Sequence, residues 1–236
     1  IIPVGVETLA RAGHEVIIET QAGVGSGIED DQYIKAGAKI VRRGNDVFER
    51  AQMIIKIKEP MESEYDSLKE GQILFTYLHL AASRNLTDAL IKRNVIAFAY
   101  ETLQTPNGEL PCLIPMSEVA GRMAPQEGAK YLEEPMQGRG ILLGGVPGVA
   151  PAEVVVIGGG IVGANACMIA AGMGANVTVL DVNLNRLRYL EEVMPPNVHT
   201  LMSNAHTIRD SVLKADLVIS SILIPGAKSP CLINRK

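Results

Sequence analysis

The chain has 236 residues, 47% of them hydrophobic, with a formal net charge of −4. That length supports one large domain or two modest ones, each able to bury a core. The mild acidity lacks the basic stripe of a nucleic-acid binder, and no apolar run reaches the roughly 18 residues of a membrane-spanning helix, so neither a nucleic acid nor a membrane is expected as a partner.

The three cysteines, Cys112, Cys167 and Cys231, are scattered and show neither metal spacing nor a disulfide framework. A reduced, cytoplasmic setting follows. No signal-peptide pattern opens the chain. Ile1 falls just before an apparent helix at 3–12, and the end at 231–236 has no natural close, so the chain reads as a fragment.

In chain order, strands are predicted at 15–18, 53–56, 73–75 and 95–97, with helices at 30–36, 46–51, 63–68 and 84–92 between them. Asn45 and Ser83 resemble N-caps, whose short polar side chains accept the first helix amides. This alternation reads as a parallel α/β sheet. Residues 105–115, with Pro-Asn-Gly and two further prolines, read as a loop or domain crossing. A connecting helix follows at 118–133, then a glycine and proline cluster at 137–151. A second α/β series comes next: strands at 153–157, 176–180, 198–201 and 217–220, and helices at 161–173, 185–192 and 207–214. Two α/β domains are expected, 1–111 and 112–236.

The second series opens on Val154-Val-Val-Ile157, a β-branched run suited to a strand buried on both faces. It leads into Gly158-Gly-Gly160-Ile161-Val162-Gly163 and an alanine-rich helix. Gly158 permits a tight turn, Gly160 leaves room for a pyrophosphate, and Gly163 allows close helix–sheet packing. The helix start offers free amides and the positive dipole end to phosphate oxygens. Asp181 follows the next strand, 18 residues after Gly163. A carboxylate there accepts both ribose hydroxyls and repels a 2′-phosphate, favouring NAD over NADP; Arg186 and Arg188 nearby weaken that preference. FAD uses the same fingerprint, so spacing alone leaves it open.

Two segments of the first half carry candidate chemistry. Lys56 and Lys58, in Lys-Ile-Lys-Glu-Pro60, share a face if the strand continues, at the strand end where a parallel sheet meets ligands. Either could pair with a substrate carboxylate, or simply be solvated. His79, in Phe75-Thr-Tyr-Leu-His-Leu-Ala-Ala82, is one of four histidines and the one best placed for proton transfer near neutral pH. A satisfied structural histidine is the alternative.

Lys56-Ile-Lys-Glu-Pro60, Thr76-Tyr-Leu-His-Leu-Ala-Ala82, Pro115-Met-Ser-Glu-Val-Ala-Gly-Arg122, Gly144-Gly-Val-Pro-Gly148 and Pro225-Gly-Ala-Lys228 together resemble the L-alanine dehydrogenase family, in order along the whole chain. The resemblance implies two Rossmann-like domains with doubly wound parallel sheets and a cofactor and substrate cleft between them. It implies reversible oxidative deamination of L-alanine to pyruvate and ammonium with NAD, by a homohexamer. By it, Lys58 binds the substrate carboxylate and His79 is the acid/base group. Ser117, Ile161, Val162, Asp181, Arg186, Ser203, Ile222 and Leu223 then line the cofactor groove. Its substrate-binding arginine would fall before Ile1 and its catalytic aspartate after Lys236. The related NAD(H)-binding subunit of transhydrogenase shares the fold but lacks Leu-His-Leu-Ala-Ala, and a binding module without amino-acid chemistry is the alternative reading.

Overall fold

A computed structural model of the chain describes residues 1–224, 227 and 229–233. They divide into two units, Ile1–Gly108 and Glu109–Lys236.

The first unit begins with α1 (Pro3–Arg11), where Pro3 sits in the first turn and its missing amide costs no bond. Then come β1 (Ile17–Glu19), α2 (Asp30–Lys35), β2 (Lys39–Val41), α3 (Gly44–Arg50), β3 (Met53–Ile55), β4 (Ile73–Thr76), α4 (Arg84–Lys92) and β5 (Ile96–Ala99). β1 pairs with β2, and β3, β4 and β5 form a second sheet in that order; every pairing is parallel. β2 has no counterpart among the predicted strands. With three residues and none of them buried, it shows no clear hydrophobic period.

Two local expectations are corrected. Ser83 does cap α4, accepting the Leu86 amide at 3.3 Å, but Asn45 is not a cap. It lies inside α3, whose Gly44 amide donates instead to Glu19 at the end of β1 (2.8 Å). The segment predicted as a helix at 63–68 is a 3-10 helix, Glu62–Ser67. Six residues with alternating acids give little amphipathic face, and Glu64 turns back to accept the Met61 amide (2.7 Å).

In the second unit α5 (Ile114–Leu132) starts four residues earlier than expected, because Pro115 suits a first turn. Pro125 inside it removes the amide that would reach the Gly121 carbonyl. β6 (Glu153–Ile157), α6 (Ile161–Gly172), β7 (Asn176–Asp181), α7 (Leu184–Val193), β8 (Val198–Met202), α8 (Ala205–Val212) and β9 (Leu217–Ser220) follow. The four strands form one parallel sheet in the order β8-β7-β6-β9. β6 is central, and its side chains alternate between two covered faces. Val154 and Val156 join the core that includes Ala166, Ala170 and Leu190, whereas Val155 and Ile157 meet Leu180 and Ile208 on the other side. A strand buried on both faces reads as an unbroken apolar run, which is why the sequence there carries no alternation.

Candidate functional site

The carboxyl ends of β6, β7, β8 and β9 gather most of the second-half site residues. In an open parallel sheet this edge, where the chain crosses from β6 to strands on either side, is where ligands bind. Gly158 leaves β6 with φ +101°, a conformation that L side chains rarely adopt, and its amide donates to the Leu180 carbonyl at 2.7 Å. A Cβ on Gly163 would stand 1.8 Å from the Gly158 carbonyl oxygen, so only glycine lets α6 start this close to the loop. A Cβ on Gly160 would meet nothing within 4 Å. The loop is therefore tight on its protein side and open at Gly160, where α6 points its first amides outward. That combination fits a dinucleotide's pyrophosphate.

Asp181 and Arg186 hold the two peptide groups that flank the Gly159 Cα. Asp181 Oδ2 accepts the Gly159 amide (2.6 Å) and Oδ1 accepts the Asn183 amide (2.7 Å). Arg186 Nε donates to the Gly159 carbonyl at 2.5 Å, and its guanidinium lies over the Tyr189 ring at 4.9 Å. Each carboxylate oxygen keeps a further lone pair for a hydroxyl donor. Arg188 donates to Asn185 instead. The Ser203 amide donates to the Asp181 carbonyl at 2.9 Å, which ties the end of β8 to this edge. Ile222 packs against the core under the loop and Leu223 is exposed. Of the Pro225-Gly-Ala-Lys228 motif, Pro225, Gly226 and Lys228 lie outside the described residues.

Ser117 reaches this edge through helix packing. It lies within α5, its amide donating to the carbonyl of Leu113, the residue at the N-cap position, so Ser117 is not itself an N-cap. One turn later, a Cβ on Gly121 would stand 2.3 Å from the Val162 carbonyl oxygen, and Arg122 Nε donates to Asn165 at 3.0 Å. Further on, Gly128 meets Leu217 at the start of β9, so α5 descends from the carboxyl edge of the sheet. Ser117, roughly 6 Å before Gly121 along the axis, stands beyond the start of α6.

In the first unit, Lys58 and His79 follow the neighbouring strands β3 and β4. Their exits from the sheet are tied together: Thr76 Oγ1 donates to the Lys58 carbonyl (2.9 Å) and the Tyr77 amide to the Ile57 carbonyl (3.3 Å). The two lysines part company. Lys56 is half-buried against Glu64, to which its ammonium donates, whereas Lys58 is exposed. His79 is exposed as well, with its ring parallel to that of buried Tyr77 at 6.0 Å between centroids. Tyr77 in turn meets Tyr100 edge-on at 5.0 Å. A cation and an imidazole thus leave adjacent strand ends, one able to hold a carboxylate and the other to move a proton.

Sequence reasoning missed three residues at these edges. Ser221 donates to the Gly158 carbonyl (2.6 Å), Glu101 accepts the Leu78 and His79 amides, and Glu64 occupies Lys56. Each acts across a strand pairing or a chain reversal that no local spacing announces.

Comparison with known proteins agrees along the chain. The alanine dehydrogenase/PNT N-terminal domain matches residues 1–120 and the corresponding C-terminal domain residues 124–236. The chain is 56% identical over all 236 residues to an alanine dehydrogenase of Methanococcus maripaludis, covering 63% of that protein. A solved L-alanine dehydrogenase superposes with a TM-score of 0.88 at 49% identity, over 98% of this chain and 64% of the other. A transhydrogenase from Sinorhizobium meliloti, 24% identical, shares the fold with a TM-score of 0.80, over 99% of this chain and 68% of the other. The chain thus spans about 63% of the length of the curated relatives it matches.

Proposed function

Because the chain belongs to the alanine dehydrogenase/PNT family, we propose that the intact protein catalyses reversible, NAD-dependent oxidative deamination of L-alanine. L-Alanine, NAD+ and water give pyruvate, ammonium, NADH and a proton. When bound, the nucleotide supplies a nicotinamide ring that accepts hydride from the substrate Cα. The remaining work falls to side chains of the chain itself.

Lys58 holds the substrate carboxylate as an ammonium point charge and so fixes which way Cα faces. Neutral His79 takes a proton from water as the water oxygen bonds to the imine carbon. The imidazolium returns that proton to the carbinolamine nitrogen, which makes it a leaving group. Neutral again, His79 takes the carbinolamine hydroxyl proton as the C–N bond breaks and ammonia leaves, and its exposure lets it discharge that proton to solvent. Gly160, Ile161 and Val162 receive the pyrophosphate at the start of α6, in a loop that the turn at Gly158 and the close packing at Gly163 shape for it, with Ser117 beside it. Asp181 receives the adenosine ribose, Arg186 lies at the same end, and Ser203, Ile222 and Leu223 continue the groove. A carboxylate at Asp181 favours NAD over NADP. Substrate binding is assigned to 1–111 and nucleotide binding to 112–236. The reading extends, on family resemblance, to a cytoplasmic homohexamer, which light scattering on the intact protein tests.

The observation that carries the reading is the exit of Lys58 and His79 from adjacent strands of one sheet, in a chain 56% identical to an alanine dehydrogenase. The test is alanine-dependent reduction of NAD+ and NADP+ by the intact protein and its His79→Ala variant. Turnover with NAD+ that is lost in the variant supports the reading. Nucleotide binding with no amino-acid-dependent turnover would replace it with a transhydrogenase-like binding module.

A further inference from the structure

His79 occupies the left-handed region, with φ 49° and ψ 39°. For a residue carrying a Cβ this conformation is uncommon and needs support from its surroundings. The strand pairing that holds β4 ends just before it: the Tyr77 amide donates to Ile57, and the next two amides have no strand to reach. Leu78 is 1% exposed, so an unmet amide there would cost the full desolvation of the group.

Glu101 meets both amides. Its Oε1 accepts from His79 at 2.6 Å and from Leu78 at 3.1 Å, and its Oε2 accepts from Leu78 at 3.3 Å. Charge-assisted bonds of this kind are among the stronger ones available to a backbone amide. The 3-10 turn that follows does not need this carboxylate to close. The Ala82 amide already donates to the His79 carbonyl (2.9 Å) and the Ser83 amide to that of Leu80 (3.2 Å). What Glu101 fixes is the pair of residues before the turn, and so the direction in which the Cα–Cβ bond of His79 leaves the backbone. Glu101 can do this because it lies just past the end of β5, which pairs with β4 in the register Thr76↔Ala99. The ring of Tyr77 then backs the imidazole.

We propose that Glu101 is the positioning residue for His79: by accepting two consecutive amides it fixes the left-handed backbone that presents the imidazole to its substrate. The role rests on the acid/base reading of His79 given above. Glu101 touches no reacting atom in this scheme and acts through the backbone of its neighbour.

The experiment uses the intact protein with Glu101→Ala, Glu101→Gln, His79→Ala and the double variant His79→Ala/Glu101→Ala. In Glu101→Ala, kcat for alanine oxidation is expected to fall on the order of tenfold to a hundredfold, with KM for alanine and NAD+ within about threefold, as for a misplaced catalytic group. Glu101→Gln keeps one acceptor oxygen and is expected to recover most of that loss. The double variant is expected to be no slower than His79→Ala alone within about twofold, because a positioning residue has nothing left to position. Amide hydrogen exchange at Leu78 and His79 supplies a readout that does not depend on activity. Protection at these two amides is expected to drop in Glu101→Ala and persist in Glu101→Gln. Additive losses in the double variant, or unchanged exchange at both amides in folded Glu101→Ala, would overturn the proposal. If Glu101→Ala does not fold, a Glu101→Gln protein as slow as His79→Ala overturns it as well. An unsubstituted protein inactive toward alanine sinks the acid/base reading, while the exchange measurement still decides whether Glu101 holds the turn.

Discussion

Lys56 and Lys58 stand two residues apart at one strand end, and their partners separate their roles. Lys56 and Glu64 have side chains 23% and 18% exposed, so solvent screens their attraction only in part. Replacing Lys56 with Met leaves the Glu64 carboxylate half-buried without its cation. A loss of about 1 to 2 kcal/mol is expected, between the exposed and fully buried cases, with KM for alanine little changed. Lys58→Ala is expected to do the reverse: KM for alanine rises at least about tenfold while the thermal midpoint moves little, since a lost ion pair to a ligand appears in binding. Thermal melts and steady-state kinetics on the two variants check both. If Lys56→Met carries the KM effect instead, the carboxylate assignment moves to Lys56. The thiols give a second contrast. Burial among the core of α6 pushes the Cys167 thiol up to about 12, while Cys231 is exposed and Cys112 half-buried. Because the folded value lies above that of an ordinary thiol, the protonated, buried form stabilises the fold fully below about pH 8.5, and that contribution is lost as pH rises toward about 12. Thiol labelling at pH 8 with peptide mapping is expected to modify Cys231 and Cys112 and to spare Cys167 until the protein unfolds.

At the scale of elements, α5 shows how a helix carries a residue to a site that its own sequence does not define. Gly121 is buried with the Val162 carbonyl 2.3 Å from where a Cβ would stand. Gly121→Ala must therefore push α5 away from the first turn of α6. A destabilisation of about 1 to 3 kcal/mol is expected, the usual cost of overpacking, along with weaker nucleotide binding as Ser117 shifts with the helix. Denaturant melts and NAD(H) titration test it; a stable variant with unchanged affinity would remove α5 from the nucleotide site. The same element marks where the sequence stops being legible. The strand, glycine turn, helix and acid from Val154 to Asp181 were readable because each obeys a local rule: β-branching, glycine spacing, helix start, strand end. The order β8-β7-β6-β9 was not written locally, and so Ser221, 63 residues from Gly158, could not be tied to the loop it holds. Glu101 was hidden for the same reason, because it meets His79 only once β4 and β5 pair. Asn45 misled because its side chain suits a cap, whereas a carboxylate from the neighbouring strand took that place.

Taken whole, the chain pairs a low net charge with one sheet face that the described residues leave uncovered. In the first unit, Ile54 and Leu74 point to the side closed by Phe48, Leu86 and Leu90. Their neighbours form two rows across the other face, Met53–Ile73–Ile96 and Ile55–Phe75–Phe98, set by the parallel register of the three strands. Met53, Ile55, Ile96 and Phe98 are each between 41% and 48% exposed. Apolar rows of this kind on a sheet drive association unless something covers them. The charge that would oppose association is −4 at pH 7 and vanishes near the sequence pI of about 5.6. Light scattering from the 236-residue chain is therefore expected to rise as pH falls from 7.5 toward 5.6, and to decline again below it as the chain turns cationic. The double substitution Ile96→Lys/Phe98→Glu leaves the net charge and the pI nearly unchanged but breaks both rows. It is expected to suppress the scattering at pH 5.6 while circular dichroism stays the same, because neither side chain belongs to the buried face. If scattering follows the pI equally in the substituted chain, net charge alone governs association and the uncovered face plays no part in it.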